Sequence, residues 1–139
     1  MPARVETRGR SRALQALYAW DLREHEDLRR IASRIWDDLA VAPDERAFAD
    51  NLLHVVDTQG ALLDAELGAV TTNWRLERVG VIERCVLRLA AAELRAGETP
   101  PRVVIQEAVR LAERFGSEQS AGFVNGVLDA LARRMGRLR

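Results

Sequence analysis

Residues 81–96, VIERCVLRLAAAELRA, constrain the fold more than any other stretch of this chain. Ile82, Val86, Leu87, Leu89, Ala90, Ala91 and Leu94 make a helix there apolar on most of its sides. Such a helix has to be central, with other elements packed around it. The flanking segments supply those elements. Ala13, Leu14, Leu17 and Trp20 form one apolar face, ending near the acidic residues Glu24, Glu26 and Asp27. Leu28, Ile31, Ile35 and Leu39 recur at spacings of three and four and predict a second helix. Pro43 is placed to start a third, whose stripe of Phe48, Leu52, Val55, Val56, Leu63 and Leu67 runs past Gly60.

The remaining boundaries are marked by helix-breaking residues. TTNWRLERVG, residues 71–80, reads as a junction containing a short helix that stops at Gly80. Gly97 suits the left-handed position after the central helix, and Pro100 and Pro101 cannot continue it. Val104, Ala108, Leu111, Ala112 and Phe115 mark a further helix closed by Gly116. The last helix carries Val124, Val127, Leu128 and Leu131, with Ser117 or Ser120 as its cap. No stretch alternates like a strand. The chain is therefore expected to be an all-α bundle of six or seven helices, one domain over residues 1–139.

Composition removes several function classes. Only two histidines occur, His25 and His54, and neither has metal-ligand spacing. No Gly-rich phosphate loop or nucleophile elbow is present, so neither catalysis nor a cofactor is expected. Cys85 is the single cysteine and sits among apolar neighbours, as a buried thiol would. No run reaches the roughly 20 apolar residues of a membrane span. The basic N-terminus lacks the apolar core of a secretory signal, so a cytoplasmic protein is expected.

Charge is balanced overall and uneven locally. All 21 basic residues are arginine, offset by 21 acids. Residues 1–12 hold Arg4, Arg8, Arg10 and Arg12 against Glu6, and residues 133–139 hold four arginines and no acid. The middle of the chain is then acidic. A basic arm over about residues 1–10, with Gly9 inside it, is expected to be mobile and to order on phosphates. Periodicity leaves open whether Tyr18 and Phe123 are core residues or exposed stacking platforms for RNA bases. Gly126, in the middle of the last helix, is expected to admit a neighbouring helix backbone, with Asn125 hydrogen-bonding across the contact.

Four segments in order, RALQALYAWDL (12–22), NWRLERVGVIERCVLRLAAAEL (73–94), PRVVIQEAVRLAERFG (101–116) and SAGFVNGVLDAL (120–131), resemble the NusB family of bacterial transcription antitermination factors. Residues 23–72 match by helical pattern only. The resemblance implies about seven helices in two perpendicular three-helix sub-bundles. It implies a factor that binds the boxA element of nascent ribosomal RNA with NusE, a small-subunit ribosomal protein, and helps RNA polymerase read through terminators.

By the same resemblance, the RNA-binding residues are Arg4, Arg8, Arg10, Arg12, Tyr18, Gln119 and Phe123. Those facing NusE are Glu77, Glu83 and Arg84. Glu6 and Thr7 stand where the family's arm is often basic. The basic C-terminus is either a second phosphate contact or a solvated end. Family members that pair as homodimers cover the arginine arm. Two other readings share the pattern: the RNA-binding domain of a ribosomal RNA cytosine methyltransferase, and a helical interaction protein that binds no RNA.

Overall fold

Local chemistry sets the ends of each helix. The computed structural model describes residues 3–23, 26–71 and 79–139, and of Ala3 and Arg4 the backbone only. It contains α1 (Ala3–Asp21), α2 (Leu28–Asp38), α3 (Pro43–Val70), α4 (Val81–Ala96), α5 (Pro101–Phe115) and α6 (Glu118–Arg134). The short helix expected in the junction, and Glu77 with it, lie outside the described residues. At α2, the Asp27 carboxylate accepts the Arg29 N–H at 3.0 Å. Pro43 opens α3, with Asp44 and Glu45 in its first turn, where the helix dipole favours acids. Gly97 closes α4 in the left-handed conformation at φ 77°, as its position in the sequence predicts. Ser117, rather than Ser120, caps α6, and the two form a reciprocal capping box.

One expectation changes at the N-terminus. The stretch read as a mobile arm is helical from Ala3 onward, so residues 3–10 are the first turns of α1. The reason is packing. A side chain at Gly9 would lie 2.7 Å from Phe48 Cδ1, so only glycine lets α1 sit this close to α3.

The helices form two groups of three, α1–α3 and α4–α6, with α4 touching α1, α3, α5 and α6. It is the helix apolar on most sides, and the expectation that it is central holds. Cys85, Val86, Leu87, Leu89 and Leu94 are buried along it, and Ala90, Ala91 and Ala92 are small enough for neighbours to approach. Each fully buried leucine contributes roughly 1.5–3 kcal/mol relative to an exposed one. Burial, with the Asp21 charge adding to it, pushes the Cys85 thiol up to about 12. It is a packing group.

Two polar knots cross this core. Arg10, 3% exposed, donates from Nε and Nη2 to the two Glu93 oxygens at 2.8 and 2.6 Å. Its Nη1 reaches Glu107 at 3.0 Å, where the Thr7 hydroxyl also donates at 2.5 Å. Its guanidinium lies 5.1 Å from the centre of the Phe48 ring. Helices α1, α3, α4 and α5 therefore meet at one side chain. Burial lowers the Arg10 pKa, but the hydrogen bond and charge of Glu93, then the charges of Glu107 and Glu6, outweigh it and raise the pKa.

At the other end of α1, Asp21 accepts from Arg84 at 2.5 and 3.1 Å and from Arg88 at 3.1 Å. Arg88 also holds Asp64 of α3 at 2.9 and 3.0 Å. Burial pushes the Asp21 carboxyl up, but the hydrogen bond and charge of Arg84 and the charge of Arg88 hold it below its usual range.

Helix α3 is 28 residues long and bends at Gln59, whose backbone leaves the helical region (φ −122°, ψ 18°). Arg95 of α4 braces the bend, donating to Gln59 at 2.7 Å and to Glu66 at 3.1 Å.

Two outcomes are expected. Asp21→Asn loses about 2 kcal/mol at neutral pH, because two arginines lose their anionic partner. A carboxyl with a lowered folded pKa stabilises fully above its unfolded value of about 3.9 and loses that contribution as pH falls through the folded value. The gap between wild type and variant in urea midpoints should therefore close below about pH 4; a gap independent of pH would show that the charge is not what matters. Ala40 follows α2 at φ 49°, a left-handed conformation costly for an L side chain. Ala40→Gly should raise stability by about 1 kcal/mol in the same titration.

Candidate nucleic-acid interface

Once α1 is placed, its outward face is fixed by helical spacing. Arg8, Arg12, Gln15 and Tyr18 follow one another at intervals of three and four. Arg8 is 64% exposed, and its Nη1 lies 3.6 Å from Glu45 Oε2. Glu45 is buried, but at 3.6 Å the contact is longer than a charge-assisted hydrogen bond, so the exposed guanidinium keeps donors for another partner. Arg12 is half-buried and donates to Gln15 at 3.2 Å. Tyr18 is 40% exposed and so is not a core residue, while Trp20 packs against the core and donates its indole N–H to the Glu26 carbonyl at 3.0 Å. The Arg4 side chain lies outside the described residues.

Arg10 does not belong to this face. Its assignment to an RNA-binding arm is corrected: the guanidinium points inward and is held by Glu93 and Glu107. The sequence carried a signal for this. A glutamate set among the apolar residues Leu89 to Leu94 of α4 needs a cation nearby, because an unpaired buried charge is costly.

A second feature forms where the start of α6 meets the start of α4. Val79, Gly80, Glu83, Gln119, Ser120 and Phe123 line a cavity of about 280 Å³. Phe123 is half-buried, packed against the core edge, and Gln119 is exposed. The buried Ser120 hydroxyl donates to Glu83 Oε1 at 2.5 Å and so fixes that carboxylate in the cavity wall. Sequence reasoning placed Gln119 and Phe123 with RNA and Glu83 with a protein partner; the structure brings all three to one cavity. It named Ser117 or Ser120 as the helix cap but missed the hydrogen bond from Ser120 to Glu83, 37 residues away, which no local pattern signals. Arg84, also expected to face a partner, is turned into the fold, where it holds Asp21 and the Val79 carbonyl.

Residues 7–133 match the sequence model of the NusB family. The chain belongs to the NusB family. It is 42% identical over 131 residues to the transcription antitermination protein NusB of Sorangium cellulosum (strain So ce56), covering 94% of this chain and 93% of that one. It is 44% identical over 129 residues to the same protein of Anaeromyxobacter dehalogenans (strain 2CP-1 / ATCC BAA-258), covering 91% and 89%. Among solved structures, T. maritima NusB superposes with a TM-score of 0.86 at 32% identity, covering 92% of this chain and 90% of that one. A complex of antitermination factors NusB and NusE with double-stranded RNA contains a chain matching at TM-score 0.87 and 26% identity, with coverages of 94% and 98%.

Within this NusB-family fold, the outer side of α6 corrects the expectation for Gly126. Among the described residues, a side chain added at Gly126 or Gly122 meets nothing within 4 Å, so none of the described helices approaches there, and Asn125 is exposed beside them. Phe115, expected in the α5 stripe, is 38% exposed with Arg114 over its ring at 5.0 Å. The basic C-terminus is divided in its roles. Arg133 pairs with Asp129 at 2.9 Å, and Arg137 donates to the carbonyls of Leu94 and, at 3.1 Å, of Thr99. Of the four arginines in residues 133–139, Arg134 and Arg139 make no hydrogen bond or ion pair with the described residues. No group of three or more metal-ligating side chains occurs among them, and no helix is long and apolar enough to cross a membrane.

An interior glycine with open space around it weakens a helix by about 1 kcal/mol relative to alanine. Gly126→Ala should therefore stabilise the fold by about that amount in chemical denaturation. A loss of stability would restore the close approach that the structure places elsewhere.

Proposed function

We propose that this chain is a transcription antitermination factor. It binds the boxA element of nascent ribosomal RNA together with NusE and suppresses termination by RNA polymerase in the cytoplasm. The observation that carries the reading is an exposed Tyr18 among the outward arginines of α1, with a second aromatic ring, Phe123, lining a cavity elsewhere on the fold. Arginines neutralise phosphates without regard to sequence, and aromatic rings hold unstacked bases. Membership of the NusB family, and a neighbour's capture with NusE and RNA, support it. Arg4, Arg8 and Arg12 contact phosphates, Tyr18 and Phe123 contact bases, and Gln119 borders the base site. NusE docks near Glu77 and Glu83 on the approach to α4. No bond is made or broken, and no cofactor is called for.

Fluorescence anisotropy with a boxA-like RNA and a scrambled control, with and without NusE, tests this. Preferential binding to the boxA-like RNA that strengthens with NusE is expected. Equal weak binding to both, indifferent to NusE, would overturn it and leave a helical protein with basic surfaces. Within that assay, Arg8→Gln with Arg12→Gln should lower the log–log salt slope by about 1.4, at roughly 0.7 per phosphate contact, with the fold intact. Phe123→Ala should weaken binding by about 1–3 kcal/mol. Arg10→Gln should behave oppositely, costing about 3 kcal/mol of stability while leaving the salt slope unchanged.

A further inference from the structure

We infer that a second cavity, between α3 and the C-terminal end of α4, is a docking slot for a lysine side chain of a partner protein. It measures about 260 Å³ and shares no lining residue with the cavity at Phe123. Phe48, Leu52 and Val55 of α3, with the Ala96 methyl of α4, make its walls apolar. Glu93 borders it too, but Arg10 already engages both oxygens of that carboxylate. The uncommitted polar groups come from elsewhere. The Glu98 carboxylate, the Asn51 amide and the Thr99 hydroxyl line the same space and make no hydrogen bond or ion pair with the described residues. Leu52 and Glu93 are buried, Thr99 is half-buried, and Glu98 and Asn51 are exposed. The slot therefore has an apolar interior and its free acceptors toward the mouth.

Charge decides the sign of the occupant. Helix α4 ends at Ala96 and turns the negative end of its dipole toward the mouth. Arg137 offsets that dipole by donating to the carbonyls of Leu94 and Thr99, and Arg95 is spent on Gln59 and Glu66. Glu93 is neutralised by Arg10. Glu98 is left as the uncompensated charge at the slot, so the complementary group is a cation.

Shape decides which cation. A lysine carries a compact head with three N–H donors on a flexible four-carbon stem. Such a side chain lays its stem along apolar surface and keeps its head at the polar edge. The carboxylate, amide oxygen and hydroxyl of Glu98, Asn51 and Thr99 offer one acceptor to each donor. The planar fork of arginine is matched to two oxygens of one carboxylate and leaves the other two acceptors unmet. A free polyamine would carry further charges in among Phe48, Leu52 and Val55, where no carboxylate is uncommitted. The occupant is also foreign to this chain, whose 21 basic residues are all arginine. A second copy has no lysine to offer.

The test is amide NMR on the full chain, titrated with N-acetyl-lysine methylamide, its arginine and norleucine counterparts, and spermidine. The lysine probe should shift the amides of Asn51, Glu98 and Thr99 saturably, with a dissociation constant on the order of 1 mM, as a fragment of that size allows. The arginine probe should bind about fivefold more weakly. The norleucine probe, which keeps the stem and lacks the charge, should not saturate. Glu98→Gln should weaken the lysine probe by about tenfold with melting temperature unchanged, since the side chain is exposed. Asn51→Ala, at a second exposed position, should weaken it by a smaller factor. Equal binding of the lysine and arginine probes, or a Glu98→Gln protein that binds as well as wild type, would overturn the assignment. So would shifts confined to other parts of the fold. Spermidine that binds these amides more tightly than the lysine probe would give the slot to free polyamines and remove the partner protein.

Discussion

The burial of α4 is the constraint on which the rest of the structure depends. A 16-residue helix with apolar groups on most sides cannot lie on a surface, so four other helices must cover it. That enclosure leaves Glu93 inside, and Glu93 in turn requires Arg10. Arg10 draws the first turns of α1 against α4 and α5, and Gly9 lets them come close enough to α3 for the contact to form. A stretch whose composition suggests a loose basic arm thus becomes a fixed helix. The cost of leaving a glutamate unpaired in the core outweighs the low helix propensity around Gly9.

The same anchoring sorts the arginines by role. Arg10, Arg84 and Arg88 are structural because carboxylates meet them below the surface. Arg8 and Arg12 remain outside because their side of the helix faces away from the core. Arginine suits both duties, since its planar fork serves a buried carboxylate and an external phosphate equally well. The exposed basic surface is accordingly smaller than the raw count of basic residues suggests. In the function proposed above, recognition then leans more on Tyr18 and Phe123 than on charge.

Much of this was legible in the sequence. Apolar periodicity placed the helices, and glycine, proline and serine marked their ends, because these depend on contacts within a few residues. The central position of α4 followed from the breadth of its apolar surface. What escaped was whatever depends on the meeting of distant segments. Arg10 is 83 residues from Glu93, and Glu83 is 37 from Ser120. No local pattern joins those pairs. The reading of Gly126 failed for a related reason: a glycine in a helix invites a close neighbour, but only the packing shows which way that side of the helix faces. At Gly9 and Gly80, where a close approach does exist, the sequence offered nothing to tell them from the others.

The bend in α3 has a consequence for how the molecule comes apart. Before Gln59 the helix is tied to the first group, through Trp36 to Asp50 at 2.9 Å and Arg8 to Glu45. Beyond Gln59 it is tied to α4, through Arg88 to Asp64 and Arg95 to Glu66. One continuous helix is thereby a member of both groups, and neither keeps its full set of contacts without it. The two halves are not separable modules. Heating should melt them in a single cooperative step, with calorimetric and van't Hoff enthalpies in agreement.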